Sequence, residues 1–92
     1  MPSVSVGTST VTLGASTARF SNGCQLVADP DNTGIVYVGY SSSVTAGTTA
    51  ATDGLPLEAG AGYFIGPDRQ KSLSEIVVIA SASSQKIFYD AA

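Results

Sequence analysis

Apolar residues alternate with small polar ones near the start of the chain: Val4 and Val6, then Val11 and Leu13, with Ser, Thr and Gly between them. A period of two predicts strands with one solvated face. Residues 1–15 are therefore read as an extended N-terminal arm or an edge strand, and residues 16–92 as the body of the domain. Asn22 and Gly23 form a turn signal, with a short strand expected over 25–28 behind it. The segment DPDNTG (29–34) packs turn residues together ahead of the strongest β run, 35–40. A hairpin joining 25–28 to 35–40 is the expected outcome.

Within that second strand, Val36, Val38 and Tyr40 point one way and Ile35, Tyr37 and Gly39 the other, so both faces carry apolar groups. A two-sided apolar strand in so short a chain predicts that its second face meets another chain. Residues 41–53 shift to Ser, Thr, Ala and Gly and read as a long loop carrying a short strand. GLPLEAG (54–60) reads as a turn leading into a strand at Tyr63, Phe64 and Ile65. A polar connection over 66–72 precedes two further strands, 76–80 and 86–89. No window shows a helical apolar stripe, so the prediction is an all-β, single-domain β-sandwich or jelly-roll with at least six strands and an extended N-terminal segment.

Ninety-two residues make one small domain. A chain of this size buries only roughly 63 per cent of its unfolded surface, so neighbouring subunits would add materially to its stability. Charged residues are 12% of the chain, about half the share usual for soluble domains, and the net charge is −3. That balance gives phosphate backbones nothing to bind, and no nucleic-acid partner is expected. The longest apolar run, 76–80, is far short of the roughly 20 residues that cross a bilayer, so no membrane partner is expected. Residues 1–15 lack a basic n-region, which predicts no secretory signal and synthesis in a cytoplasm.

The candidate chemistry is thin. With no His and one Cys, Cys24, neither an intrachain disulfide nor a Cys/His zinc site can form. Asp29, Asp31, Thr33 and Gly34 match the opening of a calcium loop, but its twelfth position is Tyr40 where a bidentate Glu is needed, and the turn reading prevails. Gly60, Gly62 and Gly66 miss the dinucleotide spacing by one residue, and Lys71-Ser72 lacks the glycines of a phosphate loop. Cys24 and the serines have no partner to activate them. The expectation is therefore no enzyme, no catalytic residues, no metal and no cofactor. The predicted interface residues are Val4, Val6, Val11 and Leu13 of the arm, Arg19 with its planar donor fork, and Tyr37 and Tyr40 of the two-sided strand.

The ordered series VSVGTSTVTL (4–13), Arg19, VYVG (36–39), Val44-Thr45, GLPLEAG (54–60) and LSEIVVIASAS (73–83) resembles small virion proteins of tailed bacteriophages. The resemblance runs from Val4 to about Tyr89 and departs at 21–29, where Asn22, Gly23 and Cys24 interrupt what is an unbroken apolar strand in the family. It implies a capsid decoration or cement protein: a β-sandwich homotrimer on the outer surface of the virion's capsid, bound to the major capsid protein and stabilising contacts between capsomers. The alternative it implies is a tail, fibre or host-recognition module. A sugar- or peptide-binding domain would rest only on the Ser/Thr-rich loop 41–53, which has no aromatic platform of its own.

Overall fold

The computed structural model of the chain describes residues 2–47 and 53–91. Eight strands follow in order: β1 (Ser3–Val6), β2 (Val11–Thr12), β3 (Cys24–Ala28), β4 (Val36–Gly39), β5 (Leu55–Leu57), β6 (Gly62–Ile65), β7 (Val77–Ala80) and β8 (Gln85–Ala91). Two single 3₁₀ turns, Pro67–Arg69 and Leu73–Glu75, lie between β6 and β7. The strands form two antiparallel four-stranded sheets, ordered β1-β8-β3-β6 and β2-β7-β4-β5. The protein is an all-β sandwich.

The pairing has a simple logic. β1 pairs with β8, β2 with β7, β3 with β6 and β4 with β5. These are the pairs of one long hairpin folded over on itself, which is the eight-stranded jelly roll. The β3–β8 and β4–β7 ladders then close the folded hairpin into two sheets.

This topology corrects the expected hairpin between 25–28 and 35–40. β3 and β4 lie in opposite sheets, and the turn between them is a crossover. The turn chemistry was legible, because the Asp29 carboxylate accepts the Asp31 backbone N–H at 2.9 Å and the Asn32 N–H donates to the Asp29 carbonyl at 3.0 Å. A turn signal reports a chain reversal, whereas the ladder partner is chosen by which apolar faces must be buried together. A second correction falls at 54–60, where Leu55–Leu57 is a strand. Pro56 is tolerated there because β5 is the outermost strand of its sheet.

Alternate residues of both sheets face inward and make the core. Leu26, Ile65, Ile76 and Ile87 are fully buried, with Val6, Val36 and Val78 packed beside them. Burial of each such side chain contributes about 1.5–3 kcal/mol. The pattern along β3, buried at Cys24, Leu26 and Ala28 and half-buried between them, is the period of two that the sequence displays. Residues of the N-terminal segment are strands of this body: β1 is an edge of the first sheet and β2 an edge of the second.

β4 differs from the expected two-sided strand in what covers it. Val36 and Val38 face the core, while Tyr37, on the other face, is 4% exposed within the single chain. The loop after β4 folds back over that face. A Cβ on Gly39 would sit 2.7 Å from Val44 Cγ2, so only glycine lets Val44 seat there.

Candidate functional site

Strands β1, β3, β5 and β7 run toward one end of the sandwich, where residues 7–10, 29–35, 58–61 and 81–84 cross between the sheets. The residues 13–23, 40–47 and 66–76 lie at the other. The seven predicted interface residues scatter over this frame. Val6, Leu13 and Tyr37 are buried inside the chain and present no side-chain surface. Val4 and Val11 are half-buried against the core. Arg19 is exposed and its backbone bridges to Ser72. Tyr40 is exposed at 38%.

Tyr40 has company that the linear pattern did not reveal. The large apolar side chains exposed among the described residues are Tyr40, Leu55 at 43% and Phe64 at 54%. Leu55 is on β5 and Phe64 on β6, the edge strands of the two sheets on the same side of the sandwich. Tyr40 follows β4, and the Tyr63 phenol of β6 interacts with it across the gap between the sheets. Tyr40 and Leu55 share the wall of one cleft, whereas alternation along β6 puts Phe64 on the outer face of its sheet, beside Gly23. The opposite edge, β1 and β2, turns Ser3, Ser5 and Thr12 outward.

Electrostatics at the Tyr40 corner are well defined. Lys71 Nζ lies 4.7 Å from the centroid of the Tyr40 ring and 4.0 Å from Glu75 Oε2. Burial raises the Tyr40 hydroxyl above its ordinary pKa, the charge and hydrogen bonding of Tyr63 raise it further, and Arg69 pulls in the opposite direction. An open cleft of about 360 Å³ adjoins this corner, with Tyr40, Ser41, Ser43, Asp53 and Leu55 in its wall. Its polar groups are already engaged: the Ser41 and Ser43 hydroxyls bond each other at 2.8 Å, and the Thr45 hydroxyl donates to Asp53 Oδ1 at 2.6 Å.

The other candidate groups do not converge. Cys24 is wholly buried, and burial pushes its thiol above the ordinary value. Asp29 and Asp31 serve the crossover turn. Among the described residues no cluster of three or more His, Cys, Asp or Glu side chains is placed to hold a metal ion, and no helix is long and apolar enough to cross a membrane.

Phe64 and Leu55 each sit in a run of apolar residues that reads as core, so the linear pattern does not single them out. The signal that could have found Phe64 is its alternation with Tyr63 and Ile65, in a strand that carries no charge. The chain matches no protein-family model, no curated protein and no solved structure in the comparisons made.

Proposed function

We infer that this chain is a structural protein of a tailed-phage virion, a decoration or cement protein that adheres to the outer surface of the capsid and reinforces contacts between capsomers. The observation that carries this reading is the exposure of Tyr40 and Leu55 side by side in one open cleft, with Phe64 exposed on the outer face of the neighbouring edge strand. Grouped apolar exposure of this kind marks an adhesive surface. The jelly roll is an architecture found in capsid proteins as well as lectins and cupins, so the fold supports the reading only by analogy. The ordered resemblance of the sequence to small virion proteins supports it independently.

In this reading the partners are the major capsid protein and further copies of the chain, arranged as the homotrimer the resemblance implies, and the chain transforms no substrate. Burial of apolar surface at about 25 cal/mol per Å² supplies the stabilisation, and an interface of about 1,600 Å² suffices where its centre is well packed. Quantitative protein analysis of purified particles tests it. Hundreds of copies per virion are expected. A few copies per particle, or antibody labelling confined to the tail, would replace the head assignment with a tail or fibre module.

A further inference from the structure

Two dipeptides of the chain place a side-chain carbonyl directly before a glycine: Asn22-Gly23 and Asp53-Gly54. The glycine nitrogen has no side chain beside it to hinder attack on the preceding side-chain carbonyl carbon, and the ring that closes is small and unstrained. Whether the attack occurs depends on whether the fold leaves the two groups free to meet.

The structure treats the two pairs differently. At 53–54 both groups are tied down: Asp53 Oδ1 accepts the Thr45 hydroxyl at 2.6 Å, and the Gly54 N–H donates to the Thr45 carbonyl at 3.1 Å, where Thr45 and Asp53 pair. The Asn32 amide is likewise fastened at both of its atoms to Lys86, and Thr33 follows it. At 22–23 neither group is held. Asn22 is exposed, and among the described residues neither its amide nor the Gly23 N–H makes a hydrogen bond. The pair lies outside both sheets, immediately before β3, so Asn22 can turn without breaking a ladder.

We propose that Asn22-Gly23 is a self-modification site, at which water converts Asn22 into isoaspartate and aspartate through a cyclic imide, while the fold protects Asp53-Gly54 from the same fate. The Gly23 nitrogen forms a bond to Asn22 Cγ and gives its proton to solvent base. The Cγ–Nδ2 bond breaks, and the side-chain nitrogen takes a proton from water and leaves as ammonia. Water then opens the imide. Opening at the main-chain carbonyl of residue 22 routes the chain through Cβ and Cγ and gives isoaspartate; opening at Cγ gives aspartate. The net change consumes one water, releases one ammonia and oxidises nothing.

The site is placed where the change is felt. Gly23 has a φ of +102° and lies so close to β6 that a Cβ would stand 2.5 Å from Phe64 Cζ, and Cys24, next in the chain, is wholly buried. Isoaspartate adds a main-chain atom and a negative charge just before this contact, which loosens the start of β3 against β6. The inference goes beyond the virion reading, since it needs only the chain and water.

The test is incubation of the purified chain in mildly alkaline buffer, folded and in urea, with each site followed by peptide-mapping mass spectrometry and by enzymatic methylation of isoaspartate. Isoaspartate is expected at position 22 of the folded chain at a rate within about tenfold of that in urea, and at position 53 only in urea. Ammonia release should match the loss of Asn22 and rise with pH, because the deprotonated amide is the attacking species. Asn22→Ser should remove the signal and leave the circular dichroism unchanged. Modified protein should admit iodoacetamide to Cys24 faster than fresh protein does. An Asn22 that stays intact in the folded chain while it converts in urea, or isoaspartate that forms as readily at position 53 as at position 22 without urea, would overturn the proposal.

Discussion

The Asn32 side chain binds the backbone of Lys86 as an adjacent strand would. Its Nδ2 donates to the Lys86 carbonyl at 2.8 Å, and its Oδ1 accepts the Lys86 N–H at 2.9 Å. The Asp29 N–H shares the same carbonyl at 3.1 Å. Through these bonds the crossover from β3 to β4 is fastened to the start of β8.

Asn32→Ala removes both bonds and leaves the Lys86 N–H without this partner. A loss of about 1–2 kcal/mol is expected, which lowers the melting temperature by about 4–8 °C for each kcal/mol in a domain of this size. Asn32→Asp keeps the acceptor but sets a carboxylate against the Lys86 carbonyl, so it should recover little of the loss. Thermal denaturation of the two variants beside the native chain checks both statements.

Gly23 is the second sensitive position. Its φ of +102° lies in the left-handed region, and a Cβ there would stand 2.5 Å from Phe64 Cζ and 2.6 Å from the Ile65 carbonyl oxygen. Gly23→Ala should therefore cost about 1–3 kcal/mol through backbone strain, with displacement of the Phe64 ring added to it. Urea unfolding reads the cost.

The Tyr40 hydroxyl gives a pH signature. Its pKa is raised in the folded chain, chiefly by burial and then by Tyr63, so the native state keeps a proton that the unfolded state has released. Stability is therefore unaffected by this group below pH about 10 and falls as pH rises through the interval up to the folded pKa. Phenolate absorbance should show one tyrosine titrating late, and Tyr40→Phe should abolish that late step and flatten the alkaline loss of stability.

Cys24 offers a parallel check inside the core. Burial is the largest cause raising its pKa; the charge of Asp90 adds to it, and a backbone hydrogen bond at Asp90 opposes it. Alkylation by iodoacetamide at pH 8 should be slow in the native chain and fast in urea, because only unfolding exposes the thiolate. Ionisation of this thiol above pH 9 should lower stability, by the same sign as for Tyr40.

Gln85 shows how much of the crossover end lay beyond local reading. It is a buried polar residue at 4% exposure, and its amide donates to the Ser83 carbonyl at 2.7 Å and the Thr33 hydroxyl at 3.2 Å, while its Oε1 accepts the Gly34 N–H at 2.8 Å. Read in isolation, Gln85 belonged to a polar linker between two strands. Its partners are as far as 52 positions away in the chain, a distance at which no residue pattern reports contact.

What the amino-acid order determined alone is the periodic part of the protein. Alternation at Cys24, Leu26 and Ala28 and at Val36 and Val38 specified strands and the faces they bury, because side chains on a pleated backbone must point to opposite sides. The missing histidines and the lone thiol likewise limited the chemistry before any fold was considered. Tertiary structure decided which strands became neighbours. It sent β3 and β4 to different sheets, buried Tyr37 within the chain, and set Tyr40 and Leu55 in the wall of one cleft. The physical reason is that local periodicity sets the orientation of each side chain, whereas burial of all the apolar faces at once is a condition on the whole chain, met here by folding one long hairpin over itself.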